Sequence, residues 1–442
     1  PVNPREKKIS GIKAYATLQD IPGEIDLVVI AVPAPKVLDI VKDCDKKGVK
    51  QLAIVTGGFS EGGEQGQKLH QEIATFVKEK DMRITGPNTL SPINTSTNLA
   101  ISFNPIKEMR QGGISFAFQS GFYDPKINWM FSHLGVHKII DLGNKKMDVN
   151  EVDVLEYFFQ DPGTKVIAMH IESLHGNGRD FFNLLKKGSI TKPVIILKSG
   201  RTPAGSLAAA THTGTIAREN DVIFNSMIMQ TAAMRARTMD EFFDLAKTFE
   251  CLMLPKGNRL SIIVLSGGEG VMATDTCNMN GLTMAELGDH TYQRLKRIFP
   301  PWKIPLNPLD GGVCLEFTLS DILRVFNALI AIPEDENVDC IVMQMPPDFS
   351  NLAPKNENPS AKVSNALKEQ CAQAFLNMKR VGKPFALWRT SMDRNEDEFV
   401  ERLESSYLPV FPSSERAIKA LSSLYRYKAL CMRETTDTLL KQ

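Results

Sequence analysis

The residues best suited to do chemistry are His212 and Glu172, together with two short glycine-bearing turns. His212 stands in Ala208-Ala209-Ala210-Thr211-His212-Thr213-Gly214, downstream of Lys198-Ser199-Gly200-Arg201, where an apolar run ends. Neutral imidazole is a good nucleophile near pH 7, because its ordinary pKa lies close to that value. The small residues around it offer little bulk to anchor the segment, so such a segment could move. The same pattern suits a histidine that closes a tightly packed small-residue helix, and spacing alone favours that plainer reading. Glu172 follows the apolar run Val166–Ile171. A carboxylate at such a strand end can orient an imidazole, or be an ordinary solvated charge.

The two turns are Gln119-Ser120-Gly121, after the apolar residues 114–118, and Ser266-Gly267-Gly268-Glu269-Gly270, after residues 261–265. A helix is expected from Val271. Backbone amides at glycine approach an anion closely, and a helix start adds a partial positive charge. Ser120, Gly121, Gly267, Gly268 and Gly270 are therefore candidate phosphate ligands, although each turn is equally a tight strand-to-helix connection. No metal site is expected. The seven histidines lack HExxH spacing, and Cys44, Cys251, Cys277, Cys314, Cys340, Cys371 and Cys431 form no CxxC pair. That cysteine usage indicates reduced buried thiols in a cytoplasmic protein.

The elements that must position these residues alternate between strand and helix in three blocks. In the first, residues 27–32 (LVVIAV), 52–55 and 83–85 are strand-like, with helical spacing over 36–47 and 65–80. The second holds strands at 114–118, 138–141, 166–171 and 194–197, with helices at 151–160, 180–187 and 239–249. The third runs from 261–265 through 340–343 and 385–388 to a helix over 413–426, and 346–359 is its most loop-like stretch. Near-continuous apolar strands separated by helices predict parallel sheets covered on both faces. The expected division is 1–108, 109–256 and 257–442, with turn chemistry at Leu254-Pro255-Lys256-Gly257-Asn258 marking the last boundary.

At 442 residues the chain is too long for one core. Its 43% hydrophobic and 23% charged residues are ordinary for a soluble protein, and a net charge of +1 excludes the basic excess of a nucleic-acid binder. No apolar run reaches the roughly 20 residues that span a bilayer, so no membrane association is expected. Pro1-Val2-Asn3-Pro4-Arg5 is neither a signal nor a transit peptide, and further residues are expected upstream of it.

Read in order, short motifs along the whole chain resemble one family. They are Gly11-Ile12-Lys13-Ala14-Tyr15, Ile30-Ala31-Val32-Pro33, Gly58-Phe59-Ser60-Glu61, Gly86-Pro87-Asn88, Gln119-Ser120-Gly121 and Leu142-Gly143-Asn144-Lys145. Ile171-Glu172, Thr211-His212-Thr213-Gly214, Gly267-Gly268 and Asn307-Pro308-Leu309-Asp310 complete the set. The chain resembles the CoA-binding, alpha-type subunit of NDP-forming (ADP-forming) acyl-CoA synthetases, relatives of succinyl-CoA synthetase. The fold this implies is α/β: an incomplete Rossmann-like CoA-binding domain followed by two flavodoxin-like ligase domains.

The resemblance implies an acid–thiol ligase that interconverts acyl-CoA, ADP and phosphate with a carboxylic acid, ATP and CoA. It passes through an acyl phosphate and a phosphohistidine. His212 takes the phosphorylated role, Glu172 steadies the imidazole, and the five turn residues donate amides to phosphoryl oxygens. CoA is expected along Val32, Pro33, Thr56, Gly57, Gly86, Pro87 and Asn88, with Asn3 on the adenine side. The family's opening strand and glycine-rich turn, which hold the CoA pyrophosphate, would lie before Pro1. The chain has neither a GxxxxGK[ST] P-loop nor an ATP-grasp region. ADP or ATP and Mg are therefore expected on an ATP-grasp (beta-type) partner in a hetero-oligomer.

One departure supports a second reading. Where small residues usually follow Gln119-Ser120-Gly121, this chain has Phe122-Tyr123-Asp124-Pro125. An Asp124 carboxylate aimed at the turn would repel an anion, leaving a catalytically weakened CoA-binding regulatory homologue. The alternative is that these side chains point away and only the amides matter.

Overall fold

The computed structural model describes residues 1–143, 147–213, 221–318, 321–346, 361–389 and 397–439. These fall into two units. One comprises Pro1–Phe131 with Val136–Arg235, the other Ser132–Gly135 with Ala236–Gln442.

The first unit carries two of the expected sheets. Leu27–Ile30, Gln51–Ile54 and Arg83–Thr85 pair in parallel. The helix Val37–Lys47 buries Val37, Val41 and Cys44, an i, i+4, i+7 stripe that faces the sheet. Gly48 ends this helix in the left-handed conformation, with φ of 82°. Residues 27–85 thus form a small parallel α/β layer, as the alternation predicts.

The second sheet has the order Met234–Ala236, Val194–Lys198, Val166–Ile171, Gln111–Phe118, Val136–Asp141, Ile93–Asn94 and Leu99–Ala100. Its four central strands are parallel. All six residues of Val166–Ile171 are buried, as expected where helices cover both faces. In chain order Gln111–Phe118 comes first, and the chain then passes to Val136–Asp141 on one side before crossing to Val166–Ile171 on the other. Connections leaving in opposite directions open a crevice between the carboxyl ends of Gln111–Phe118 and Val166–Ile171. This is the switch point of a flavodoxin-like sheet.

The second unit repeats the scheme. Its strands run Thr283–Met284, Arg259–Val264, Cys340–Gln344, Phe385–Trp388 and Val410–Phe411 in space, all parallel. Leu309–Asp310 pairs with the end of Arg259–Val264 as well. Here the switch point lies between Arg259–Val264 and Cys340–Gln344.

Three features differ from the sequence expectation. The strand Ile93–Asn94 pairs antiparallel with Val136–Asp141, so residues 93–100 extend the second sheet instead of completing the first block. The helix Met239–Cys251 packs in the C-terminal unit, where Asp244 forms a two-pronged ion pair with Arg416 at 2.6 and 2.8 Å. Helical periodicity marks a buried face but not the sheet that covers it. The last helix runs over Ser414–Leu439, well past 426. Most of the loop-like stretch 346–359 lies outside the described residues. Among the described residues no helix is long and apolar enough to cross a membrane.

A second ion pair of the C-terminal unit is fully buried. Lys247 Nζ lies 2.5 Å from Glu404 Oε1, and His133 Nδ1 lies 2.6 Å from Glu404 Oε2. Burial pushes the Glu404 carboxyl up, but Lys247 and His133 outweigh it and hold the group below its ordinary range. Removing one member of such a pair strands the other charge, so Lys247→Ala should cost roughly 3–5 kcal/mol in denaturant titrations. Because the folded pKa is depressed, the stabilisation is complete above the ordinary value of 4.5. It is lost as pH falls through the folded value. Between 4.5 and the depressed folded value, the slope of stability against pH should be shallower in Glu404→Gln than in the unaltered chain.

Candidate functional site

At the switch point of the second sheet the buried strand Gln111–Phe118 runs into Gln119, which is 2% exposed. Its side-chain amide reaches across to the end of the neighbouring strand. Oε1 accepts from the backbone N–H of Glu172 at 2.7 Å and of Ser173 at 3.0 Å. Nε2 donates to the Ser173 carbonyl at 2.8 Å and to Glu151 Oε1. The Glu172 carbonyl in turn accepts from Lys198 Nζ at 2.7 Å. Glu172 is therefore pinned on both sides, and its residue is 8% exposed. Gln119 directly precedes Ser120-Gly121, so one buried amide joins the first glycine-bearing turn to the candidate orienting carboxylate.

Ser120 has extended backbone, with φ of −152° and ψ of 140°, at the cap of a 3₁₀ run, Gly121–Lys126, that leads into the α-helix Ile127–His133. Opening amides of a helix have no intrahelical carbonyl partner, which suits them to an anion. The departure Phe122-Tyr123-Asp124-Pro125 points elsewhere. Tyr123 is fully buried and stacks on Phe118 with ring centres 4.4 Å apart. Its hydroxyl donates to the Leu90 carbonyl at 2.8 Å. The Asp124 carboxylate is 3% exposed and accepts from the Ser102 hydroxyl at 2.6 Å and from Asn104 Nδ2. Phe122 sets its ring edge-on to His170 at 4.8 Å.

The corresponding turn of the C-terminal unit starts its helix earlier than expected. The helix is Gly267–Met279, with Ser266 as its cap, so Gly267, Gly268 and Gly270 all lie in its first turn. Ser266, Gly267 and Gly268 are exposed, whereas Gly270 is buried. A Cβ on Gly270 would stand 3.1 Å from Pro308, whereas one on Gly268 would meet nothing within 4 Å. Gln344, 5% exposed at the end of the neighbouring strand, accepts from the Leu265 N–H at 2.7 Å. Asn307 braces the same strand by accepting from the Ile262 N–H at 2.9 Å and donating to the Leu260 carbonyl at 2.8 Å. The two turns stand in separate units, each at its own switch point.

The candidate CoA residues gather at the carboxyl edge of the three-stranded sheet. The Thr56 hydroxyl donates to the Val32 carbonyl at 2.7 Å, and the Asn88 N–H donates to the Thr56 carbonyl at 3.1 Å. Gly57 lies beside them, and a Cβ there would be 3.9 Å from Asn88 Oδ1. Gly86 takes φ of 98° before a cis bond to Pro87. A Cβ on Gly86 would stand 2.6 Å from the Ile54 carbonyl. Pro33, Gly58 and Asn88 are exposed along this edge. Asn3 is not joined to that group: its side chain caps a local turn, accepting from Arg5 and Glu6.

His212 belongs to the helix Pro203–Thr213, but its side chain lies outside the described residues, as do Gly214, Asn144 and Lys145. Sequence reasoning missed the roles of Gln119, Glu151, Lys198 and Gln344. For Gln119, Lys198 and Gln344 the signal was a polar residue breaking an apolar strand at its carboxyl end; Glu151, first in its helix, gave none. Among the described residues no three His, Cys, Asp or Glu side chains gather as a metal site.

Substituting two of these glycines separates packing from ligand approach. Gly86→Ala should destabilise the chain by roughly 1–3 kcal/mol through its left-handed backbone and the Ile54 carbonyl. Gly268→Ala should leave urea stability unchanged or raise it by up to ~1 kcal/mol. A comparable loss in both variants would show that Gly268 serves packing.

Comparisons with known proteins bear on this geometry. A CoA binding domain model matches residues 1–94, and a model of the succinyl-CoA ligase like flavodoxin domain matches residues 111–249. The alpha subunit of acetate–CoA ligase [ADP-forming] II from Pyrococcus furiosus is 36% identical over 372 residues, covering 84% of this chain and 79% of that subunit. Acetate–CoA ligase [ADP-forming] II of Archaeoglobus fulgidus is 32% identical over 431 residues, or 97% of this chain, which spans 61% of that relative's length. The solved structure of the dinucleotide forming acetyl-coenzyme A synthetase 1 of Ca. Korarchaeum cryptofilum, in complex with phosphate and ADP, superposes with a TM-score of 0.83. That match has 29% identity and covers 99% of this chain and 90% of that one. By sequence and by fold, this chain belongs to the ADP-forming acetate–CoA ligase family and corresponds to its alpha subunits.

Proposed function

We propose that this chain is the CoA-binding, phosphohistidine-carrying part of an ADP-forming acyl-CoA synthetase, with His212 as the residue transiently phosphorylated. The observation that carries the reading is the Gln119 amide. It holds Glu172 beside the Ser120-Gly121 turn at a switch point, where such sheets bind ligands. Phosphoryl transfer asks a protein mainly for positioning and charge stabilisation, and this arrangement offers both. Amides at Ser120 and Gly121, and at Gly267, Gly268 and Gly270 in the other unit, are suited to receive phosphoryl oxygens.

In the proposed reaction the His212 imidazole attacks the phosphorus of an acyl phosphate. The P–O bond to the acyl group breaks, the carboxylate leaves, and a P–N bond forms. That bond then breaks as a terminal phosphate oxygen of ADP takes the phosphoryl group. Glu172, hydrogen-bonded to one ring nitrogen, would set the tautomer and stabilise positive charge on the ring. The sheet edge formed by Val32, Pro33, Thr56, Gly57, Gly86, Pro87 and Asn88 is the proposed seat of CoA, whose thiol exchanges with phosphate on the acyl carbon. Asn3 would contribute from its separate turn. ADP, ATP and Mg are assigned to an ATP-grasp partner, forming a hetero-oligomer. All seven cysteines are free, which suits a reducing compartment such as the cytoplasm.

The regulatory alternative rested on repulsion from Asp124. With its carboxylate engaged by Ser102 and Asn104, that reason is removed.

The test is to incubate the chain with radiolabelled acetyl phosphate and follow acid-labile, base-stable label. His212→Ala should abolish it, and Glu172→Gln should slow its formation on the order of 10²-fold. Label persisting in His212→Ala would sink the proposal.

A further inference from the structure

Resting on that reading, we infer that Gln119 and Glu151 are positioning residues: Glu151 orients the Gln119 amide, and the amide fixes Glu172 for its work on His212.

Glu151 opens the helix Glu151–Gln160, and its side chain is completely buried. An acid in the first turn of a helix is usually a solvated charge placed to suit the helix dipole. This one faces inward. Asn150 caps the helix beside it, accepting from the Val152 N–H at 2.9 Å. Glu151 Oε1 accepts from Gln119 Nε2, and Oε2 accepts from the backbone N–H of His175 at 3.2 Å and of Gly176 at 3.4 Å. His175 Nδ1 stands 3.7 Å from Oε1. Gly176 permits the loop to come this close, since a Cβ there would lie 2.5 Å from Asn150 Oδ1.

A carboxylate only accepts hydrogen bonds. The Gln119 nitrogen must therefore face Glu151, which turns the Gln119 oxygen toward the N–H groups of Glu172 and Ser173. Glu151 thus reinforces the orientation that the Glu172 and Ser173 N–H groups and the Ser173 carbonyl also favour. Flipped, the amide would set its NH₂ against two N–H donors and release the backbone at Glu172. Glu151 also holds the far end of the same loop at 175–176. The segment 172–176 is thus clamped at both ends by a single chain of side chains, Glu151 to Gln119 to Glu172–Ser173. Ion pairing of Glu151 with the catalytic groups is not required; its effect passes through the amide.

The clamp makes an exchange prediction. In Glu151→Gln, whichever way the two amides turn, at least one NH₂ faces an N–H donor. In Gln119→Glu, two carboxylates face each other. In the double variant Q119E/E151Q, the amide at 151 can donate to the carboxylate at 119. Its oxygen then serves 175–176, while the carboxylate at 119 accepts from 172 and 173. Only the donation to the Ser173 carbonyl is lost. The experiment measures the rate of acid-labile labelling by acetyl phosphate in the full chain, alongside the dissociation constant for CoA. Both single variants should label at least tenfold more slowly, with CoA affinity within twofold of the unaltered chain. The double variant should recover to within about threefold of it. If Glu151→Gln does not fold, Gln119→Leu, which releases Glu172 but leaves the Glu151 bonds to 175–176, should show the same slow labelling.

Unchanged labelling in the folded variants overturns the positioning role while leaving the phosphohistidine reading intact. Slow labelling that the exchange does not repair overturns it as well. Absence of label from the unaltered chain would overturn the underlying reading and this one together.

Discussion

The buried side-chain amide of Gln119 bonds to four groups from two other segments of the first unit: the Glu172 and Ser173 N–H groups, the Ser173 carbonyl and Glu151. An amide buried this deeply costs about 1–3 kcal/mol for each partner it fails to find. Loss of any one of the four contacts is therefore costly. The consequence is mechanical. The end of Gln111–Phe118 cannot shift relative to the end of Val166–Ile171, and the turn that follows Gln119 inherits that rigidity. The proposed phosphoryl transfer would gain from such stiffness, because misplacement of a reacting group by even about 1 Å is costly in rate.

The C-terminal unit meets the same constraint with different residues. Gln344 comes from the neighbouring strand, not from the strand that carries the turn, and holds Leu265 just before Ser266. The outcomes differ in the helices that follow. Gly267–Met279 is α-helical from its first residue, whereas Gly121–Lys126 is a 3₁₀ run. Tyr123, locked between Phe118 and the Leu90 carbonyl, and Pro125, with no N–H to donate, accompany that tighter start. Tyr123 thus serves the core beneath the turn.

Much of the fold could be read along the chain. Fully apolar runs such as Val166–Ile171 and Phe385–Trp388 mark strands covered on both faces, and their alternation with helices gives parallel sheets. What could not be read was partnership. Ile93–Asn94 and Leu99–Ala100 are too short to carry a pattern, and only the edge of Val136–Asp141 makes them strands. The helix Met239–Cys251 has an apolar stripe that would suit either neighbouring sheet. Its place in the C-terminal unit comes with Asp244 and Lys247, which find Arg416 and Glu404 far along the chain.

The candidate site divides along the same line. By itself the sequence determined which residue types stand at the strand ends, a glutamate at 172 and glycines after 120 and 266, and that a histidine stands at 212 among small neighbours. Short-range chemistry suffices for that, since turns and strand ends announce themselves through local composition. Only the tertiary structure decided that Gln119 touches Glu172, that Glu151 is buried behind it, and that Asp124 turns away to Ser102 and Asn104. Those choices depend on which side chains meet when distant strands are laid side by side. A buried polar group settles into the one arrangement that satisfies its hydrogen bonds.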